Sequence, residues 1–319
     1  MMFKTKFKPL VKTVLPVVVF LLLFLLSGDL QAGQTAREEA YGDNLSRWNV
    51  PVFNQGVGLA YAADARGVHG GLTNPAALSR IQTHQFSIEY QRWAESWDLY
   101  NSGIAVPMRG PHAYAFQFSW LDYGELEPEN DGQLYRPQGN EFKGSFTYSR
   151  LLANRLAVGI SGGLMSSKMD FEDRKTEPVV DLGLIYRVTP GFWLGATGKN
   201  LNGSLQFDDK DNKIPPEYRV GTALYLFEDR IGLTADAVYI DTEDREDFDR
   251  EDIGMAGGLR LMFTESVRLS GGYHSLYGNN EIEGYTGSVE LRLPGLQFNF
   301  SLIDTGRETI SRGGGTLRF

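Results

Sequence analysis

Three groups of residues in this chain have types and spacings that could do chemistry. Gly159-Ile160-Ser161-Gly162-Gly163 has the Gly-x-Ser-x-Gly spacing of a nucleophile elbow, where a sharp strand-to-helix turn presents a serine hydroxyl for acyl transfer. Here the string lies inside an alternating run with no helical pattern after it, so Ser161 reads as a strand residue. The stretch Asp241 to Asp252 gathers Asp241, Glu243, Asp244, Glu246, Asp247, Asp249 and Glu251 ahead of Asp252. It lacks the glycine and ligand spacing of an EF-hand loop and reads as a solvated loop extended by its own repulsion, with weak divalent binding at a lipopolysaccharide surface as the functional alternative. Asp208, Asp209 and Asp211 read the same way. His69, His84, His112 and His274 are scattered without metal-ligand spacing, and Gly195 and Gly198-Lys199 do not form a phosphate-cradling loop. The expectation is therefore a chain with no catalytic site, no cofactor and no bound metal.

The third group is larger: Asp181, Arg187, Lys199, Arg219, Asp236, Arg260, Arg268, Glu290 and Arg292. Each lies in a run that alternates apolar and polar residues, and the run Gly284 to Asp304 states the rule. Tyr285, Val289, Leu291 and Leu293 alternate with Thr286, Ser288, Glu290 and Arg292. After Pro294-Gly295 the alternation resumes with Leu296, Phe298, Phe300 and Leu302 against Gln297, Asn299 and Ser301. Side chains alternate faces along a strand, so this is a hairpin with one apolar and one polar face, joined by a tight turn. In a soluble sandwich the apolar face is inside; in a membrane barrel it lies on lipid and the polar face lines the lumen.

Two patterns favour the barrel. Fourteen candidate strands follow one another from residue 85 to residue 319, and their connections alternate in kind. Arg109 to Pro111, Leu151 to Ala153, Val188 to Pro190, Phe227 to Arg230, Phe263 to Glu265 and Pro294-Gly295 are tight turns. Gly124 to Asn140, Asp170 to Glu177, Asn202 to Pro216 and Thr242 to Asp252 are longer and polar. Short turns at one end and long loops at the other mark an antiparallel transmembrane barrel with an even strand count. The two faces also differ in bulk: Tyr114, Phe116, Phe118 and Trp120 alternate with Ala113, Ala115, Gln117 and Ser119. Lipid accepts bulk, whereas a filled lumen has limited volume. On this reading the nine charged residues above form a polar network inside the barrel, because an unpaired buried charge is costly. Gly221 would face Asp236 across the Phe227 to Arg230 turn, which puts Arg219 diagonal to that carboxylate.

The flanking segments fit export. Lys4, Lys6, Lys8 and Lys12 precede the apolar run Val14 to Leu26, and Ala32 offers a small residue for cleavage, so residues 1–32 read as a secretory signal peptide, with an uncleaved anchor as the alternative. No cysteine is present, which excludes a lipoprotein anchor and a disulfide framework. The formal net charge of −9 argues against a nucleic-acid partner. Residues 33–84 do not follow the strand pattern: Gln34 to Ser46 is polar and Gln55 to Arg80 is rich in glycine and alanine.

That segment ends in Gly70-Gly71-Leu72-Thr73-Asn74-Pro75-Ala76-Ala77-Leu78-Ser79-Arg80, and here the chain resembles a family. Asn74, Pro75 and Ala76, placed after a Gly/Ala-rich stretch and just before the first strand, resemble the hatch motif of the FadL-like superfamily, especially its PorV/PorQ-type branch. Gly198-Lys199-Asn200-Leu201, Pro216 to Gly221 and Leu233 to Asp236 also look like that branch. The resemblance implies a fourteen-stranded outer-membrane barrel over 85–319 with residues 33–84 as a hatch inside it. It departs from the long-chain fatty acid transporters in an abbreviated hatch and smaller loops. The terminal strand, with Leu317 and Phe319, resembles the insertion signal that barrel-assembly machinery reads.

Two functions stay open. One is transport of a hydrophobic small molecule across the outer membrane, leaving laterally through the wall; it expects a kink or missing pairing in an early strand, with Pro107 as a weak pointer. The other is a barrel that binds a secreted protein through its loops, for which Leu134 and Tyr135 would serve.

Overall fold

Bulk on one face and small polar residues on the other give each strand two unlike sides, and the strands satisfy both by closing on themselves. The computed structural model describes residue 45 and residues 49–93, 97–124, 139–169, 173–202, 204–207, 210–241, 253–275, 283–305 and 309–319. The proposed signal peptide, the loop carrying Leu134 and Tyr135, Asp208 and Asp209, and the acidic stretch beyond Asp241 lie outside the described residues. The strands are β1 (Gln85–Trp93), β2 (Trp97–Pro107), β3 (His112–Asp122), β4 (Gly139–Ala153), β5 (Leu156–Met169), β6 (Lys175–Thr189), β7 (Phe192–Lys199), β8 (Ser204–Phe207), β9 (Lys210–Lys213), β10 (Glu217–Leu226), β11 (Ile231–Ile240), β12 (Ile253–Thr264), β13 (Val267–Ser275), β14 (Glu283–Leu293), β15 (Leu296–Asp304) and β16 (Thr309–Arg318).

Fourteen of these form a closed antiparallel barrel in which each strand pairs with its chain neighbours and β1 pairs with β16. The other two, β8 and β9, make a small hairpin within the connection from β7 to β10, which then pair with each other. Sequence analysis reads that connection as loop, because two strands of four residues are too short to show a period of two.

The faces decide between barrel and sandwich. Phe116 is 58% and Ile160 48% exposed, whereas Gln117 and Thr147 are fully buried. Apolar side chains out and polar side chains in is the arrangement that lipid stabilises and water does not. Cross-strand tyrosine pairs stand on the outer face near both ends: Tyr90 opposite Tyr100, Tyr218 opposite Tyr239 and Tyr273 opposite Tyr285 towards the long loops, and Tyr114 opposite Tyr148 towards the short turns. Amphipathic rings at two levels mark the two membrane–water boundaries.

The short turns are built from local backbone preference. Pro294 and Gly295, the latter at φ +75°, join Leu293 to its partner Leu296. The β10–β11 turn is tighter in its demands: Phe227, Glu228 and Asp229 all take positive φ with no glycine among them.

Strands β1 to β4 pair continuously, so the early-strand kink expected for lateral exit is absent there; Pro107 ends β2 opposite Ala113 without disturbing the ladder. Register shifts occur near the short turns instead, at Leu151/Ala153, Arg187/Thr189 and Met262/Thr264. The two ladders on β6 are unequal: β5 pairs with it from Lys175 onward and β7 from Leu182, with the Leu201 N–H donating to Val180 O at 3.0 Å and β8 lying beside the rest. Pro178 falls in this stretch, where a missing donor faces no ladder partner on the β7 side.

Candidate functional site in the barrel lumen

The segment before β1 folds inside the barrel as α1 (Val52–Gln55), α2 (Gly67–Gly70) and a 3₁₀ turn, Pro75–Arg80. Asn74 caps that turn: its Oδ1 accepts the Ala76 N–H at 3.0 Å, while Pro75, with no N–H to satisfy, occupies the first helical position. The amide Nδ2 donates to Ala62 O at 2.6 Å and reaches the carbonyls of Leu184 and Ala196 at 3.3 Å. Those two are partners across β6 and β7. Such an approach needs bare backbone: a Cβ on Gly183 would strike Asn74 Oδ1, and one on Gly195 would strike the Ala62 carbonyl. Ser149 donates to Ala76 O and Thr197 to Thr73 O, each at 3.1 Å, so the motif is tied to wall strands on both sides.

Charged wall residues hold the rest of the hatch. Asp236 Oδ2 accepts the backbone N–H groups of Tyr61 and Ala62 at 2.7 and 2.9 Å, with Arg219 Nη1 at 3.5 Å. Arg219 also donates to Leu59 O at 2.9 Å and to Glu217 at 3.2 Å, and its guanidinium lies 3.9 Å from the centre of the Tyr61 ring. Glu217 accepts the Tyr61 hydroxyl, and the Lys199 ammonium lies 5.7 Å from the centre of the same ring. Gly221 pairs with Asp236, as the turn geometry expects. Arg260 is bound to Asp64 at 2.5 Å and donates to Phe53 O at 3.2 Å. Burial would raise the Asp64 carboxyl, but Arg260 and Arg66, with a hydrogen bond from Tyr225, outweigh it and bring its pKa down to about 2.

The other expected lumen residues fall into three places. Asp181 pairs with Lys143 at 3.0 Å and accepts the Asn200 N–H at 2.8 Å. Arg268, Glu290 and Arg292 sit together towards the short turns, Glu290 accepting from Arg292 with Arg268 at 3.8 Å. Arg187 is at the rim, half-buried, donating to Asn154 O at 2.9 Å with its guanidinium over Trp193. Leu317 and Phe319 project outward, and the Phe319 N–H donates to His84 O at 3.0 Å. Ser161 is buried in the middle of β5, where Thr147 donates to its hydroxyl at 3.1 Å, without the strand–turn–helix setting of a nucleophile.

Several partners escape sequence analysis. Asp64 and Tyr61 lie in the segment with no strand period, so no face could be assigned to them. Glu89, Lys143, Glu217 and Arg312 do lie on alternating strands, and their inward parity was the available signal. Arg312 pairs with Glu89 at 2.6 Å and donates to Val50 O.

The lumen is layered. Its middle is polar, but towards the long loops the inward positions turn apolar: Trp97, Leu99, Leu121, Tyr123, Met165, Val179, Val238, Ile240, Ile303 and Ile310 cluster with Leu45, Val50 and Leu59 to Tyr61 of the hatch. A water-filled channel would keep polar residues there.

No family model and no curated protein matches the sequence. Solved structures do match in shape. The CymD monoaromatic hydrocarbon channel superposes with a TM-score of 0.64 at 14% identity, over 85% of this chain and 97% of that one. A Pseudomonas aeruginosa FadL homologue gives 0.61 at 10% identity, over 83% and 97%. The Pseudomonas putida toluene transporter TodX gives 0.59 at 12%, over 83% and 96%. The chain therefore has the fold of FadL-like outer-membrane barrels, a closed wall of fourteen strands around an amino-terminal hatch.

Proposed function

We propose that this chain is exported by residues 1–32, inserted in the outer membrane with Leu317 and Phe319 as the signal read by the barrel-assembly machinery, and passes hydrophobic small molecules into the lumen. The observation that carries this reading is the apolar inner lining at the long-loop end. Those inward apolar side chains, buried against Leu45, Val50 and Leu59 to Tyr61, form a partition site for an apolar molecule once the hatch side chains yield, and the polar layer below them sets its depth. The same fold serves hydrocarbon channels among the structural neighbours, which adds support. Asn74, Pro75 and Ala76 act as the hatch anchor and the charged wall residues as the network that seats it.

Uptake of a labelled monoaromatic hydrocarbon into vesicles carrying the folded protein tests it. Met165→Asp, which sets a charge in the apolar layer, is expected to reduce uptake at least tenfold while the barrel still migrates heat-modifiably. Uptake no faster than in protein-free vesicles would reject transport, and a protein that co-purifies on the native barrel would favour the PorV/PorQ-like docking role instead.

A further inference from the structure

Among the described residues, most buried cations of the wall have a carboxylate partner, and one cluster carries an excess of guanidinium. Lys143 has Asp181, Arg312 has Glu89, and Arg219 has Glu217 and Asp236. Towards the short turns of β12 to β16, Arg66, Arg260, Arg268, Arg292 and Arg318 have two buried carboxylate partners among the described residues, Asp64 and Glu290, while Glu265 stands exposed on the β12–β13 turn. Asp64 is occupied by Arg66 at 3.0 Å and Arg260 at 2.5 Å. Glu290 Oε1 takes Arg292 and has Arg268 Nη1 at 3.8 Å. Arg318 donates to a neutral group, the Gln297 amide oxygen.

Two buried atoms in this cluster have no partner among the described residues: Arg268 Nε and Glu290 Oε2. Arg268 is 7% exposed, and a buried donor left without a partner is costly. The register keeps the groups adjacent. Arg268 faces Glu290, Arg292 faces Gln297, and Gln297 faces Thr316, two positions before Arg318.

We propose that this cluster binds a phosphate oxyanion between Arg268, Arg292 and Arg318. The chain as a whole is acidic, at −9, so the local excess of guanidinium is a property of the place and not of the composition. Planar guanidiniums suit phosphate oxygens, and an anion stabilises the positive charge gathered around buried Arg268, with Arg292 half-buried and Arg318 exposed at the open side of the cluster. The two unpartnered atoms narrow the chemistry. A carboxylate presents acceptors only, whereas a singly protonated phosphate presents oxygens to Arg268 Nε and a hydroxyl to Glu290 Oε2. Inorganic phosphate and the phosphomonoester headgroup of a lipid share this chemistry.

The full-length protein in neutral detergent, shown to be folded by heat-modifiable migration, is titrated with inorganic phosphate by ³¹P line width. In parallel, native mass spectrometry compares phosphatidic acid with phosphatidylcholine. Saturable broadening assigns a free anion, and selective retention of phosphatidic acid alone assigns a lipid headgroup; either supports the site. R268Q and R318Q are each expected to weaken binding at least tenfold, and R109Q, on an exposed turn at the same end, to leave it unchanged. R318Q removes a hydrogen bond to a neutral amide, so it tests the site even where R268Q fails to fold. Binding of neither probe to the wild-type protein, undiminished binding in folded R268Q and R318Q, or equal weakening in R109Q overturns the proposal.

Discussion

Asp236 on β11 receives the backbone N–H of Tyr61 at 2.7 Å, across 175 positions of sequence. A wall carboxylate thus satisfies hatch backbone directly, beside the contacts that the hatch side chains Asn74 and Asp64 make themselves. Asp236→Ala would strand the N–H groups of Tyr61 and Ala62 and remove a counter-ion from buried Arg219. The expected loss is about 3–5 kcal/mol, the usual cost of breaking one side of a buried pair. Thermal unfolding in detergent checks it, and an unchanged midpoint would remove the structural role proposed for this residue. Asp236→Asn keeps an acceptor and is expected to lose less.

The seat of Asn74 gives a second prediction. Gly195→Val introduces a Cβ where the Ala62 carbonyl lies, and Asn74→Ala removes the amide that links Ala62 to Leu184 and Ala196. Both variants are expected to release the hatch while β6 and β7 stay paired. Limited proteolysis should then cut between residues 55 and 80 in the variants and spare the wild type. Equal protection in all three proteins would show that the hatch is held elsewhere.

Acid tests the Asp64 contact. Its folded pKa, about 2, lies below the ordinary carboxylate value, so its contribution is present above about pH 4 and is lost as pH falls through 2. A shift of this size corresponds to about 2 kcal/mol. Stability of the wild type is expected to fall between pH 4 and 2, with a shallower fall in Asp64→Asn. Parallel pH profiles for the two proteins would contradict the assignment.

Phe319 extends the last strand and lies outward, bonded through its N–H to His84 O. Its deletion is expected to lower the yield of membrane-inserted, heat-modifiable barrel severalfold in cells. Normal insertion of the shortened chain would argue against its part in the insertion signal.

How much of this was legible depended on period. The wall strands announce themselves because one register error would bring Phe116 into the lumen and Gln117 onto lipid, so selection of faces is written in every second residue. Asp236 and Arg219 could be placed together before any coordinates, since the short β10–β11 turn fixes their register. Asp64 could not, because its environment is made by Arg260 and Tyr225 from distant strands and its own segment has no repeating face. The β8–β9 hairpin was hidden by its shortness. Arg187 has inward parity but lies two residues from the end of β6, paired with Trp193 beside the short turn, and parity alone says nothing about depth.

The pairing of β1 with β16 has a consequence in time. Gln85 meets Arg318 and Phe86 meets Leu317, so the final seam joins the strand that follows the hatch to the strand that ends the chain. Gly195 leaves the hatch no clearance beyond bare backbone. Protease pulses during assembly should therefore find residues 55–80 already protected when heat-modifiable migration first appears. The expected order is enclosure before sealing: a chain that sealed too early would hold its hatch outside with no way back in.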